Sequence, residues 1–192
     1  MFIYDRTRLR AFTVVELLTV FAILAILVGL LTPVFRNARD SANRNVTVSN
    51  LRQIYTALTL YRPDFDSGVY GSYTAMGLPP SMGALGVNEK LPVTVFRSGC
   101  PSVRAPFLGA LFRQMWHEDG DPSQQDWAPY TELYQGNSVL VGDDNCDFRD
   151  RFFKNPLVSH RGISLYVDGH VSTIVRIGST APYEWWSLTQ EN

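Results

Sequence analysis

A lone charge stands in the most apolar part of this sequence. From Phe12 to Leu31 the chain reads FTVVELLTVFAILAILVGLL, and Glu16 is the single ionisable group in that run. A carboxylate there costs about 2–3 kcal/mol at the centre of a bilayer and less near its edge. Glu16 lies close to the start of the run, which leaves two readings open. It sits at headgroup level, or it pairs with a cation from outside the chain. A second concentration of chemistry is the run Asp143-Asp144-Asn145-Cys146-Asp147-Phe148-Arg149-Asp150. Calcium takes about six to eight oxygen ligands, and Asp143, Asp144 and Asp147 are the candidates for it. A solvated acidic loop paired with Arg149 and Arg151 is the plainer reading, because the glycine and closing glutamate of an EF-hand loop are absent. His160, Asp168 and His170 form a third set, as metal ligands or, more simply, as a hydrogen-bonded device at a turn. No Ser/His/Asp or Cys/His nucleophile set and no phosphate-binding glycine loop stands out, so catalysis is not expected.

These residues need elements to position them. At about 1.5 Å per residue, a helix over Phe12–Leu31 spans roughly 30 Å, the thickness of a bilayer core. A cleaved secretory signal would have a shorter apolar core ending at a small-residue site, so this helix is expected to remain in the mature chain. Arg6, Arg8 and Arg10 precede it and favour a cytoplasmic N-terminus, although Arg36, Arg39 and Arg44 on the far side nearly balance them. Beyond Pro33 the pattern turns amphipathic: Phe35, Ala38, Ala42, Leu51, Ile54, Leu58 and Tyr61 recur at intervals of three and four. Arg62-Pro63 ends the pattern. One helix from Phe12 to Tyr61, kinked near Pro33, is the economical reading.

Residues 62–192 are then enough for one globular domain. The spacing predicts a Gly/Pro-rich loop from Pro63 to Gly86 and strands over Leu91–Phe96, Ser138–Val141, Ile163–Val167 and Val171–Ile177. It also predicts a short helix over Phe107–Trp116. Asp168-Gly169 between alternating apolar residues is hairpin-turn chemistry. The expected architecture is α+β, a long N-terminal transmembrane helix packed on an antiparallel sheet. Cys100 and Cys146 are the only cysteines, and an even count in an oxidising compartment favours a disulfide; two free buried thiols are the alternative. Tyr183, Trp185 and Trp186 read as core rings in preference to an adhesive surface patch.

Composition narrows the class. The chain has 192 residues, 45% of them hydrophobic and 18% charged, with 17 Lys+Arg against 18 Asp+Glu. That excludes a disordered chain and a large multidomain enzyme. From residue 62 onward 10 Lys+Arg face 15 Asp+Glu, so the basic footprint of a nucleic-acid binder is missing and no nucleic-acid partner is predicted.

The segment Arg10-Ala11-Phe12-Thr13-Val14-Val15-Glu16-Leu17-Leu18 resembles the prepilin signature of type IV pilins and type II secretion pseudopilins. The resemblance implies cleavage between Ala11 and Phe12 by a prepilin peptidase, N-methylation of Phe12, and a leader over residues 1–11. The family usually has Gly before the cut where this chain has Ala11. It implies assembly roles for Glu16, pairing with the freed amine of a neighbouring subunit, and for the helix-kinking Pro33. The stretch PVFRNARDSANRNVTVSNLRQIYTALTLYRPDFD is similar to a prepilin-like subgroup. Cys100-Pro101-Ser102 and His160-Arg161-Gly162 followed by Asp168-Gly169-His170-Val171 resemble its later motifs, with a shorter interval from the histidine to Asp-Gly than is usual there.

What the resemblance implies is a structural subunit, leaning towards a minor one, of a type IV pilus or type II secretion pseudopilus. Its partners would be the peptidase/methyltransferase, other subunits and the inner membrane. It would be single-pass with the C-terminal domain outside the cytoplasm, then part of a periplasmic or cell-surface filament, with no cofactor unless Ca2+ binds. The alternative is a permanently membrane-anchored surface binding module. A secreted metal-dependent hydrolase ranks last.

Overall fold

The computed structural model describes residues 13–62, 68–100, 112–116, 127–146, 157–179 and 183–187. It divides into two units, Met1–Arg39 and Asp40–Asn192. A single helix, α1 (Val14–Tyr61), supplies the described part of the first unit and enters the second. The helix continues through Pro33, whose ring removes one backbone donor without ending it. Every described side chain up to Arg39 is exposed. By length and composition this part of α1 is able to cross a membrane.

In the second unit the same helix changes character. Thr47, Leu51, Ile54, Ala57 and Leu58 are buried, at the three- and four-residue intervals of one helical face. Leu51, Ile54 and Leu58 are nearly or fully covered, and burying each stabilises the unit by about 1.5–3 kcal/mol. They share one core with strands β2 (Val139–Asp143), β3 (Ser159–Tyr166) and β4 (Val171–Ile177). With β1 (Arg113–Gln114) these make a four-stranded antiparallel sheet in the order β1-β2-β3-β4. The architecture is therefore α+β.

The register separates the faces of the sheet, because paired residues lie on the same side. Val141 pairs with Leu165, and Asp143 with Ile163. The Asp143 side chain reaches Ser98, which lies beside Thr47 of α1, so α1 covers this first face. The second face carries Gly142 and Gly162, against which Trp186 packs. A side chain at Gly162 would collide with Trp185 and Trp186, so a glycine is what lets these rings lie flat on the strand. Trp186 is fully buried, and its carbonyl accepts a hydrogen bond of 2.7 Å from the Tyr166 hydroxyl. Burial pushes that phenol up to about 12, which keeps it a donor. The C-terminal rings are thus core, as their composition suggests.

The β3–β4 hairpin turns at Asp168-Gly169. Gly169 has φ +91°, a left-handed conformation that favours glycine, and it abuts the Tyr55 ring of α1. Strand β4 coincides with the predicted Val171–Ile177, and β2 and β3 overlap their predicted segments.

Three expectations are corrected. Val93–Phe96 is a 3-10 turn entered from Pro92, not a strand, because Pro92 and Val93 find no sheet partner and the turn closes on Pro92 O. In the expected helix Phe107–Trp116, residues 107–111 lie outside the described residues. Its end is extended: Arg113 and Gln114 pair with Gly142 and Val141, and the Met115 amide donates to Leu140 O. Two helices were not expected. α2 (Met82–Asn88) starts inside the predicted Gly/Pro-rich loop, with Ser81 accepting from the Ala84 amide as its cap. α3 (Trp127–Tyr134) buries Trp127, Tyr130 and Thr131.

Candidate functional site

The residues singled out by chemistry fall in three places. The first is the start of α1. Ala11 and Phe12 lie outside the described residues. Thr13 and Glu16 form a reciprocal cap: the Glu16 amide donates to Thr13 Oγ1 at 3.2 Å, and the Thr13 amide donates to a Glu16 carboxylate oxygen at 2.9 Å. The Thr13 hydroxyl donates to the same oxygen at 2.8 Å. Glu16 therefore has local partners in its own chain, an arrangement legible in the Thr-x-x-Glu spacing. These bonds leave the carboxylate's charge uncancelled.

The second place lies where α1, the Cys100 segment and β2 meet. Asp143 is fully buried at the end of β2. One of its oxygens accepts from the Ser98 hydroxyl at 2.6 Å. The other accepts from the Asn145 amide at 2.9 Å and the Asn145 side chain at 2.7 Å. Ser98 Oγ also accepts from the Cys100 amide at 3.0 Å, and Thr47 Oγ1 accepts from the Gly99 amide at 2.9 Å. Cys100 and Cys146 are joined in a disulfide beside this network. Burial pushes the Asp143 carboxyl above the ordinary aspartate range, with the hydrogen bonds from Ser98 and Asn145 opposing it. Asp144 is also buried, while Asp147 lies outside the described residues. The oxygens of Asp143 are occupied in holding three segments together, and among the described residues no group of three or more His, Cys, Asp or Glu is placed to hold a metal ion.

Thr47, Ser98 and Asn145 did not stand out in the sequence. Thr47 had one available signal. It continues the buried stripe of Leu51, Ile54 and Leu58 one turn earlier, and a hydroxyl in an apolar stripe calls for a buried partner.

The third place is the β3–β4 hairpin, which separates the two histidines. His160 is fully buried near the open end, paired across the strands with Arg176. His170 follows the turn, stacks on Tyr166 with ring centroids 4.1 Å apart, and hydrogen-bonds Asp168. The register puts the histidines at opposite ends of the hairpin, so they do not form one ligand set with Asp168. The Asp168–His170 pair is the turn device. Comparison with protein-family models, with curated proteins and with solved structures finds no match.

Proposed function

We propose that this chain is a prepilin-like structural subunit, cut between Ala11 and Phe12, N-methylated at Phe12 and assembled through α1 into a type IV pilus or type II secretion pseudopilus. The observation that carries the reading is the division of α1. Its first part is apolar and wholly exposed with Glu16 as the lone acid, and its second part is the core helix of an α+β unit. A subunit that waits in a membrane and then packs helix against helix needs both parts. Glu16 sets the axial register by pairing with the amine of a neighbouring Phe12, since a buried ion pair discriminates strongly between registers. The size of the C-terminal unit and Ala11 before the cut lean towards a minor subunit.

The test is intact-mass and N-terminal peptide mass spectrometry on membranes from the native host. A mature chain starting at N-methylated Phe12 is expected, and Glu16→Ala should prevent assembly while leaving the chain in the membrane. A chain retaining Met1 to Ala11 would instead favour a permanently anchored surface module. One observation favours that second reading: the hydrogen bonds from Thr13 give Glu16 partners without any neighbouring subunit.

A further inference from the structure

The open end of the β3–β4 hairpin exposes apolar side chains that nothing in the second unit covers. Leu157, Val175 and Ile177 are 86%, 50% and 70% exposed. They are neighbours: Ile177 pairs with Ser159, the Gly178 amide donates to Val158 O, and Val175 lies two residues from Ile177 on the same face. A folded unit that buries Ile163, Leu165 and Trp186 leaves these residues in contact with something other than water.

The path of α1 within the second unit shows which end this is. Tyr55 abuts the hairpin turn at Gly169. Thr47 lies beside Ser98, which bonds Asp143, and Asp143 pairs with Ile163. Moving from Tyr55 to Thr47 covers roughly 12 Å of helix, and moving from Tyr166 to Ile163 covers roughly 10 Å of strand, in the same direction. Continuing that way, Asp40 lies about 10 Å past Thr47, and Ser159 about 13 Å past Ile163. The open end of the hairpin is therefore level with the point where the chain enters the unit. Residues 31–40 can span no more than about 30 Å even when fully extended, so this end stays tethered close to the apolar run.

Charge identifies the surface it meets. Arg36, Arg39 and Arg44 follow the apolar run and make no ion pair among the described residues. Arginines on this side of the span run against the usual bias towards the cytoplasmic flank. Anionic headgroups account for both their sign and their place. We infer that the open end of the hairpin, through Leu157, Val175 and Ile177, docks on an anionic lipid surface that Arg36, Arg39 and Arg44 hold against the unit. The inference rests on the reading of α1 as a membrane anchor, and it adds a lipid-facing surface on the C-terminal unit to that reading.

The test uses the full chain reconstituted in vesicles, with bimane attached through Ile177→Cys and, as the control at the far end of the unit, through Thr59→Cys. Vesicles of phosphatidylcholine with or without phosphatidylglycerol carry a nitroxide high on the acyl chain. Flotation first establishes that the chain is anchored. Quenching at position 177 but not at 59, stronger with phosphatidylglycerol, is the expected result. Each arginine changed to glutamine should lower the docked-to-undocked ratio about fivefold. Co-flotation without quenching at 177 overturns the docking and leaves the anchor standing. A chain that fails to float overturns both. A bimane shift at 177 that depends on protein concentration in detergent, with no lipid quenching, makes the surface a contact between copies and also overturns the proposal.

Discussion

The two stretches of α1 share a backbone and a geometry but not a solvent. Between Val14 and Arg39 no described side chain is buried, although the sequence there is the most apolar in the chain. Between Asp40 and Tyr61 the helix is far more polar, yet it buries five residues along one face. In an ordinary water-soluble helix the apolar stretch would be the buried one. The inversion teaches that hydrophobicity here marks two destinations. An all-round apolar surface is made for lipid or for other helices, and a one-sided stripe is made for the protein's own core.

Matched substitutions break the comparison most directly. Ile54→Ala should destabilise the C-terminal unit by about 2–5 kcal/mol, while Leu24→Ala should leave its melting temperature unchanged, measured by thermal unfolding of the full chain in detergent. If both shift the melt alike, the two stretches are not different in kind. Converting Cys100 and Cys146 to serine should cost about 3–4 kcal/mol in the same assay, because the bond closes a loop with a sequence separation of 46. Leu24→Arg should weaken membrane insertion by about 2.5–3.5 kcal/mol, whereas Leu60→Arg, on the other stretch and also exposed, should insert normally; carbonate extraction separates the two.

The smallest effects come from Asp143. Asp143→Ala strands the Ser98 and Asn145 donors and should cost about 1–3 kcal/mol. Asp143→Asn keeps the shape and removes the buried charge. The folded carboxyl titrates above its ordinary value, so the folded state binds its proton more tightly than the unfolded chain. The contribution of Asp143 to stability is therefore fully present below about pH 3.8, the model value, and is lost as pH rises through the folded value. The melting temperature of the Asn variant should gain on that of the parent chain as pH is raised from strongly acidic to neutral. A constant gap between them would show that Asp143 does not titrate differently on folding.

Local signals were the legible ones. The hairpin Ile163–Ile177 could be read because the alternation and the Asp-Gly turn lie within a few residues of each other. α1 could be read because its periodicity persists over many turns. Leu91–Phe96 misled because β-branched residues suit a strand only where a partner strand exists, and Pro92 begins a turn instead. Arg113–Gln114 was hidden for the opposite reason: its pairing with β2 is long-range, and the apolar spacing around it looks helical. At the candidate sites, Glu16 and its Thr13 cap show in the sequence. The Asp143 network does not, since Thr47, Ser98 and Asp143 come together only after three distant segments have folded.

A mechanical consequence follows from the junction beside Thr47. A pull along α1 reaches the Cys100 segment through the hydrogen bond from the Gly99 amide to Thr47, and the disulfide passes it on beyond the end of β2. From there the load spreads into the antiparallel ladder, where β2 meets β3 and β3 meets β4. The weakest link in that series is the single bond at Thr47, backed by the apolar packing of Leu51 and Ile54. Under tension the helix should therefore slide free as a unit before the sheet tears, and the cross-linked sheet should survive the event intact.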